Sequence, residues 1–414
     1  MRILYLTPYV PSQVRVRPYQ FIRHLAALGH EVTLICLAGR NEEPAALEDL
    51  RRCCREVVAV PTSGRQAALQ ALRALPSPRP LQAAYGASAE LVGEARRRAG
   101  RHDVVHVEHL RGSSYGPPLR DYPLLLDAVD CISLLFERAV RQGASAASRA
   151  RALLDLARTR RAEGRLGDVF RQVVVTSDED RWALRQLQAP GAPAPQIDVV
   201  PNGVDLAAFA PAPADGREPA TLVLTGKMSY HANEAAALDL GRAIMPLIWR
   251  ERRDVRCLII GRDPPPAVRA LAADPRIAVL GEVPAVPPYL QRATLAVAPL
   301  RYGVGIQNKV LEAMATATPV VATPQAARAL GAHSGEAIAL AATPAAFAAT
   351  VLELLDAPAR RSALGEAGRR YVEARHDWHQ SAARLVGRYD AAGSRNEDAG
   401  LAAVPLYERA LGEN

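Results

Sequence analysis

The chain has 414 residues, 49% of them apolar and 23% charged, which is the balance of a globular protein of two or three domains. No apolar run reaches the roughly 18 residues that a membrane-crossing helix needs, and the five cysteines include no CxxC pair, which argues against a structural zinc or a disulfide framework. The net charge of +8 lies wholly in the first half, where residues 1–195 hold 28 basic and 20 acidic side chains against 23 of each in 196–414. With 5% aromatic residues and no nucleic-acid reader motif, that basic half suits an anionic lipid surface or an anionic acceptor better than a nucleic acid, or is simply a solvated arginine-rich face.

The opening Met1-Arg2-Ile3-Leu4-Tyr5-Leu6 is already a buried-strand pattern, so neither a signal nor a transit peptide is expected and the cytosol is the expected location. Apolar runs then alternate with helical patterns, the mark of βαβ units on a parallel sheet. Strands are expected at 3–6, 32–37, 57–60, 104–107, 124–126 and 173–175. An arginine-laden helical segment over 133–165, with breaks at Gly143 and Gly164, puts positive charge on one edge; the stretch 138–171 is the expected contact with an anionic membrane surface. Asp178-Glu179-Asp180 has the Asp-x-Asp spacing of metal-dependent transferases, but after Thr176-Ser177 it reads as a capped helix start.

A turn at 200–205 and a Pro/Ala linker at 210–216 precede a second series of strands at 222–224, 257–260, 277–280, 295–298 and 320–322. Helices follow at 344–355, 360–374 and 378–389, with one more helical turn at 407–411. Two consecutive α/β series mean two Rossmann-like domains, expected at 1–196 and 197–375, with a helix at 376–392 packing back on the first domain and a tail over 393–414.

Of 51 basic residues only two are lysines. Lys227 sits in Leu224-Thr225-Gly226-Lys227-Met228, and Lys309 follows Gly303-Val304-Gly305-Ile306-Gln307-Asn308. Where a chain has drifted to arginine, a retained lysine marks a place that needs a compact ammonium. Two strand-to-helix turns, each with glycine and a lysine, describe a site for a diphosphate; the competing reading is two leftover lysines on open surface.

These loops also carry a resemblance. Val200-Pro201-Asn202-Gly203-Val204-Asp205 with Phe209, Gly226-Lys227, Leu258-Ile259-Ile260-Gly261, Gly281-Glu282-Val283, Ala298-Pro299-Leu300, and Lys309-Val310-Leu311-Glu312-Ala313-Met314-Ala315 before Thr318-Pro319-Val320-Val321-Ala322-Thr323 occur in one order. In that order they resemble family-4 retaining glycosyltransferases of GT-B fold, most closely the bacterial sugar transferases of exopolysaccharide gene clusters. The resemblance implies two domains facing across a cleft, a UDP- or GDP-sugar donor, no metal, and transfer with retention to a sugar, lipid-linked or polysaccharide acceptor, at the inner face of the membrane. A non-catalytic nucleotide-sugar sensor and a hydrolysing nucleotide-sugar epimerase of the same fold are the alternatives. A dinucleotide oxidoreductase is disfavoured, because no GxGxxG follows the first strand.

By the same resemblance Lys227 and Lys309 stabilise the leaving diphosphate, Gly226, Gly303, Gly305 and the amides near Ile306 and Gln307 hold it, and Glu312, on the first turn of its helix, accepts the ribose hydroxyls. Arg262 and Val283 frame the base from two strand ends. The pattern departs in four places: Val304 replaces the first of two glutamates, Asn233 replaces a second cation for which Lys309 compensates, Gln13-Val14-Arg15-Val16-Arg17 replaces a Gly-Gly turn, and Val129 stands where the family often has a histidine. Arg15 or Arg17 is then expected to meet the donor phosphate or an anionic acceptor. On the acceptor side the candidates are His106, Glu108, His109, Asp127 and Asp130; His106 reads as a core histidine, and His109 and Asp130 are chosen for sugar or acceptor contact.

Overall fold

The computed structural model describes residues 1–39, 44–142, 146–213, 216–302, 305–332 and 334–393. Seven strands form the first sheet: β1 (Arg2–Thr7), β2 (Glu31–Gly39), β3 (Glu56–Thr62), β4 (Val104–Glu108), β5 (Leu124–Val129), β6 (Gln172–Val175) and β7 (Gln196–Val199). Six form the second: β8 (Thr221–Thr225), β9 (Arg256–Ile260), β10 (Ile277–Gly281), β11 (Leu295–Ala298), β12 (Val320–Ala322) and β13 (Ala339–Leu340). Every pairing is parallel. Helices cover both faces, so Ile3, Leu4, Tyr5 and Leu6 are all fully buried and β1 is written as an unbroken apolar run.

The strand orders are 3-2-1-4-5-6-7 and 10-9-8-11-12-13, each the doubly wound Rossmann arrangement. In such a sheet the order reverses beside the first strand, and the loops at the carboxyl ends of the two strands flanking the reversal diverge to leave a crevice. Here the flanking pairs are β1/β4 and β8/β11. Their loops carry Arg15 and His109 in one sheet, and Lys227 and Lys309 in the other.

The arginine-laden segment forms two helices, Ile132–Gln142 and Ala146–Glu163, and its expected break at Gly143 lies outside the described residues. Much of its charge is already engaged: Arg138 pairs with Glu179 at 2.5 Å, Arg165 with Asp168 at 2.8 Å, and Arg158 donates to the Leu75 and Ser77 carbonyls. Glu163 reaches back to accept from the Ile132 and Ser133 amides at 2.7 and 3.1 Å, which caps the first of these helices. The helix at Asp178–Leu187 is capped by Ser177, which accepts from the Asp180 amide at 3.2 Å.

The chain crosses between the sheets twice, and the crossings touch. The Val204 amide donates to the His376 carbonyl at 2.8 Å, and a Cβ at Gly203 would lie 2.5 Å from the Trp378 nitrogen, so this turn accepts only glycine. The last helix, Trp378–Gly393, packs on the first sheet's helices: Trp378 meets Phe21 edge-on at 5.3 Å, and the Tyr389 hydroxyl bonds His106 Nδ1 at 2.9 Å. The turn expected at 407–411 lies outside the described residues.

Candidate active site

Three segments converge at the β8/β11 reversal. Gly226 (φ 140°) and Gly261 (φ 151°) follow β8 and β9, and a Cβ on Gly261 would fall 1.7 Å from the Gly226 carbonyl oxygen. A Cβ on Gly226 would in turn stand 3.0 Å from Lys309 Cε and 2.8 Å from Asn233 Nδ2. Only glycine admits so close an approach at such angles. Asn233 joins the two lysine loops, its Nδ2 donating to the Lys227 carbonyl at 2.9 Å and its Oδ1 accepting from Lys309 Nζ at 2.7 Å. The ammonium of Lys309 therefore rests on the side chain at which the resemblance expects a second cation.

Lys309 also donates to Gln307 Oε1 at 3.3 Å. Burial pushes its ammonium down to about 8, a shift that Glu312 opposes, and burial pushes Glu312 up to about 7 against the pull of Lys309. Lys227 is exposed, with Asp263 4.0 Å away. Glu312 lies just past the first turn of the helix Asn308–Ala315, a turn that holds no acid, and not on that turn as expected. Its carboxylate therefore answers to Lys309 more than to the helix N-terminus. Arg262 pairs with Glu282 across the ends of β9 and β10, and Val283 packs against the core beside them. Gly303 and Val304 lie outside the described residues.

Gly305 (φ 65°) meets the first domain. A Cβ there would sit 1.9 Å from Asp130 Oδ1, so the carboxylate after β5 touches the loop that leads to Lys309. Burial, aided by Asp180, raises the Asp130 carboxyl to about 7, while Thr176 donates to it at 3.1 Å. A second bridge runs Asp127–Arg17–Asn202–Asn308, with contacts of 2.7, 2.8 and 3.1 Å, and ends at the first residue of the donor-side helix. Ile306 is buried in the second domain's core, and Gln307 is the residue before that helix.

Arg17 differs from its expected role at a phosphate. It is 5% exposed, paired with Asp127 and bonded to the Val200 carbonyl at 2.9 Å, so its charge ties the first helix to the domain crossing. Glu108 and Asp127 likewise do not face the cleft; both are fully buried. Tyr5 donates to Glu108 at 3.0 Å, and His106 lies 3.4 Å from it, stacked on Tyr5 and held neutral by burial. His106, Glu108 and Asp127 could offer ligand atoms to a metal within 4.8 Å of one another, but the Arg17 guanidinium already supplies the positive charge there.

His109 has φ 64° and accepts from the Arg111 amide through Nδ1 at 3.1 Å; burial, with Arg111 and Arg15 nearby, pushes it down to about 3, so its ring is neutral. Arg15 stacks 3.9 Å over the Tyr9 ring. Arg111 was not among the expected residues, and the only signal for it in the sequence is a lone cation two places after a strand-end histidine.

Two Rossmann sheets, joined where the Gly305 loop of the second touches Asp130 of the first, make a GT-B fold. Comparison with known proteins agrees: residues 14–203 match the Glycosyl transferase 4-like domain and residues 219–357 match Glycosyl transferases group 1, so both halves of the chain carry glycosyltransferase domains. The chain is similar to D-inositol 3-phosphate glycosyltransferase of Kineococcus radiotolerans, 28% identical over 316 residues that cover 66% of this chain and 68% of that protein. In fold it is similar to sucrose-phosphate synthase of Thermosynechococcus elongatus (TM-score 0.68, 18% identity, 95% of this chain and 100% of the other). It is also similar to Anabaena HepE in complex with UDP (TM-score 0.63, 14% identity, 94% and 100%).

Proposed function

We propose that the protein transfers a sugar, with retention at the anomeric carbon, from a nucleoside-diphosphate sugar to an acceptor hydroxyl. The meeting of the Gly226 turn with Asn233 and Lys309 carries this reading, because it brings the Lys309 ammonium to the crevice where a diphosphate would lie, with the exposed Lys227 in the adjoining loop. As the sugar–phosphate bond breaks, negative charge grows on the departing diphosphate. Lys227, Lys309 and the amides after Gly305 oppose that charge, so no side-chain nucleophile is required. The Glu312 carboxylate accepts the ribose hydroxyls, and Arg262 and Val283 frame the base. Asp130, whose carboxyl titrates near neutrality, receives the acceptor proton, and His109 orients the acceptor with its neutral ring.

HepE structures with UDP, UDP-glucose, and UDP with glucose make UDP-sugars the first donors to try. A polysaccharide or lipid-linked acceptor and peripheral contact with an anionic membrane belong to the same proposal, supported by exposed Leu153 and Leu154 on the helix Ala146–Glu163. Among the described residues no helix is long and apolar enough to cross a membrane. The sensor and epimerase alternatives are not favoured, since both halves match transferase families. The test is release or transfer of label from a radiolabelled UDP-sugar in EDTA. Turnover should persist, because lysines hold the diphosphate; turnover abolished by EDTA and restored by magnesium or manganese would overturn the charge account.

A further inference from the structure

The bridge from the first domain to the donor-side helix has a direction, and Arg17 sets it. A guanidinium only donates. Its Nε bonds Asp127 at 2.7 Å, and its Nη1 reaches the Val200 carbonyl at 2.9 Å and Asn202 Oδ1 at 2.8 Å. The Asn202 amide must therefore turn its oxygen to Arg17 and its nitrogen to the second domain, where it donates to Asn308 Oδ1 at 3.1 Å. Asn308 can meet that donor only with its own oxygen. Asn202 has little freedom to turn round: it is 8% exposed, its carbonyl accepts from His376 Nδ1 at 2.9 Å, and the Val200 amide two residues earlier donates to Val175 of β6, so the residue stays with the first sheet.

The consequence falls on the helix Asn308–Ala315. The amides of a first turn have no carbonyl of their own helix to meet, and an asparagine there readily offers them its side-chain oxygen. Here that oxygen is drawn away to Asn202. Gln307, the residue before the helix, makes no capping bond through its side chain, and its oxygen takes Lys309 Nζ at 3.3 Å. Both side chains suited to closing this helix end are thus engaged elsewhere, one by the first domain and one by Lys309. The turn is left to an anion that lies beside Lys309.

We infer that Asn202 is a positioning residue for donor binding: by holding the Asn308 oxygen off the first turn of its helix it keeps that turn open for the diphosphate, and it does so only while the two domains are together. The polarity of one amide then couples donor binding to closure, with Asp127 and Arg17 fixing that polarity from the first domain. The coupling rests on the transferase reading above, in which the diphosphate lies at this same turn.

The test titrates UDP and GDP calorimetrically into wild type, Asn202→Ala and the double variant Asn202→Ala/Asn308→Ala. For the diphosphate that wild type binds, Asn202→Ala should weaken affinity roughly fivefold, the weight of one neutral hydrogen bond. Removing the Asn308 side chain as well should restore affinity to within about twofold of wild type, because no side-chain oxygen is then left to close the turn. A double variant as weak as Asn202→Ala, or weaker, would make the pair a plain strut between the domains and overturn the coupling. An Asn202→Ala affinity equal to that of wild type would overturn it too. Should Asn202→Ala leave Arg17 without an acceptor and fail to fold, Asn202→Asp takes its place. A carboxylate satisfies Arg17 but cannot donate, so the Asn308 amide turns its nitrogen to it and its oxygen to the helix. Affinity should again fall, and again recover when Asn308→Ala is added; a fall without recovery overturns the coupling. Wild type that binds neither diphosphate would instead remove the transferase reading, and with it the donor that Asn202 serves.

Discussion

Raising the pH from about 7.5 to about 9.0 should weaken UDP binding roughly eightfold, and Lys309 is the reason. Its ammonium is pushed down to about 8 by burial. A lowered value means that the charge is present below that pH and is lost as pH rises through it, so about three quarters of the sites are charged at the lower pH and about one tenth at the upper. If only the charged form holds the diphosphate, affinity falls in the same ratio, a cost of roughly 1.3 kcal/mol. Calorimetric titration of UDP across a buffer series measures it. The control is Lys309→Arg: a guanidinium stays charged throughout, so the alkaline fall should vanish, while affinity near neutrality drops because a planar fork cannot share Asn233 and Gln307 as the ammonium does. Parallel falls in wild type and Lys309→Arg would refute the reasoning, since the titrating group would then be elsewhere.

Glu312→Gln should weaken binding of a UDP-sugar by about 1–3 kcal/mol while leaving the fold intact, because a carboxylate on two hydroxyls loses its charge-assisted bonds. The same change should flatten the acid side of the pH profile, for a carboxyl raised to about 7 loses its charge as pH falls through that value; an unchanged acid limb would show that Glu312 does not hold the ribose. Gly305→Ala should force the domains apart, because its Cβ would fall 1.9 Å from Asp130 Oδ1, and small-angle scattering should show a larger radius. Adding Asp130→Gly should restore the compact form, and no change in radius with Gly305→Ala alone would mean that this contact does not set the closure.

What could be read in advance follows from how far each feature depends on distant parts of the chain. A parallel strand buried on both faces announces itself, as β1 does. β7 did not, because Gln-Ile-Asp-Val at a sheet edge buries only Ile197, and β13 has just two residues. The lysine loops were legible because glycine and lysine are each restrictive there. The resemblance already linked Asn233 to Lys309, but the direct hydrogen bond between them was not legible, since the side chain of a polar helix residue gives no sign that it will meet Lys309 76 positions later. Arg15 and Arg17 look alike in sequence; what separates them is Asp127, 110 residues away, which buries one and leaves the other at the crevice. Glu108 and Asp127 were misplaced for the same reason: strand-end carboxylates face a cleft unless another element, here the first helix with Arg17, closes over them.

The central claim is that Lys227 and Lys309 together hold the donor diphosphate, and their scarcity permits a direct test. Amine-selective acetylation followed by mass spectrometry reads just these two side chains and the chain's amino group. Exposed Lys227 should label quickly in the free protein, Lys309 more slowly, and saturating UDP should protect both, with transfer lost in step with labelling. Both lysines fully acetylated in saturating UDP, with transfer unchanged, would contradict the account.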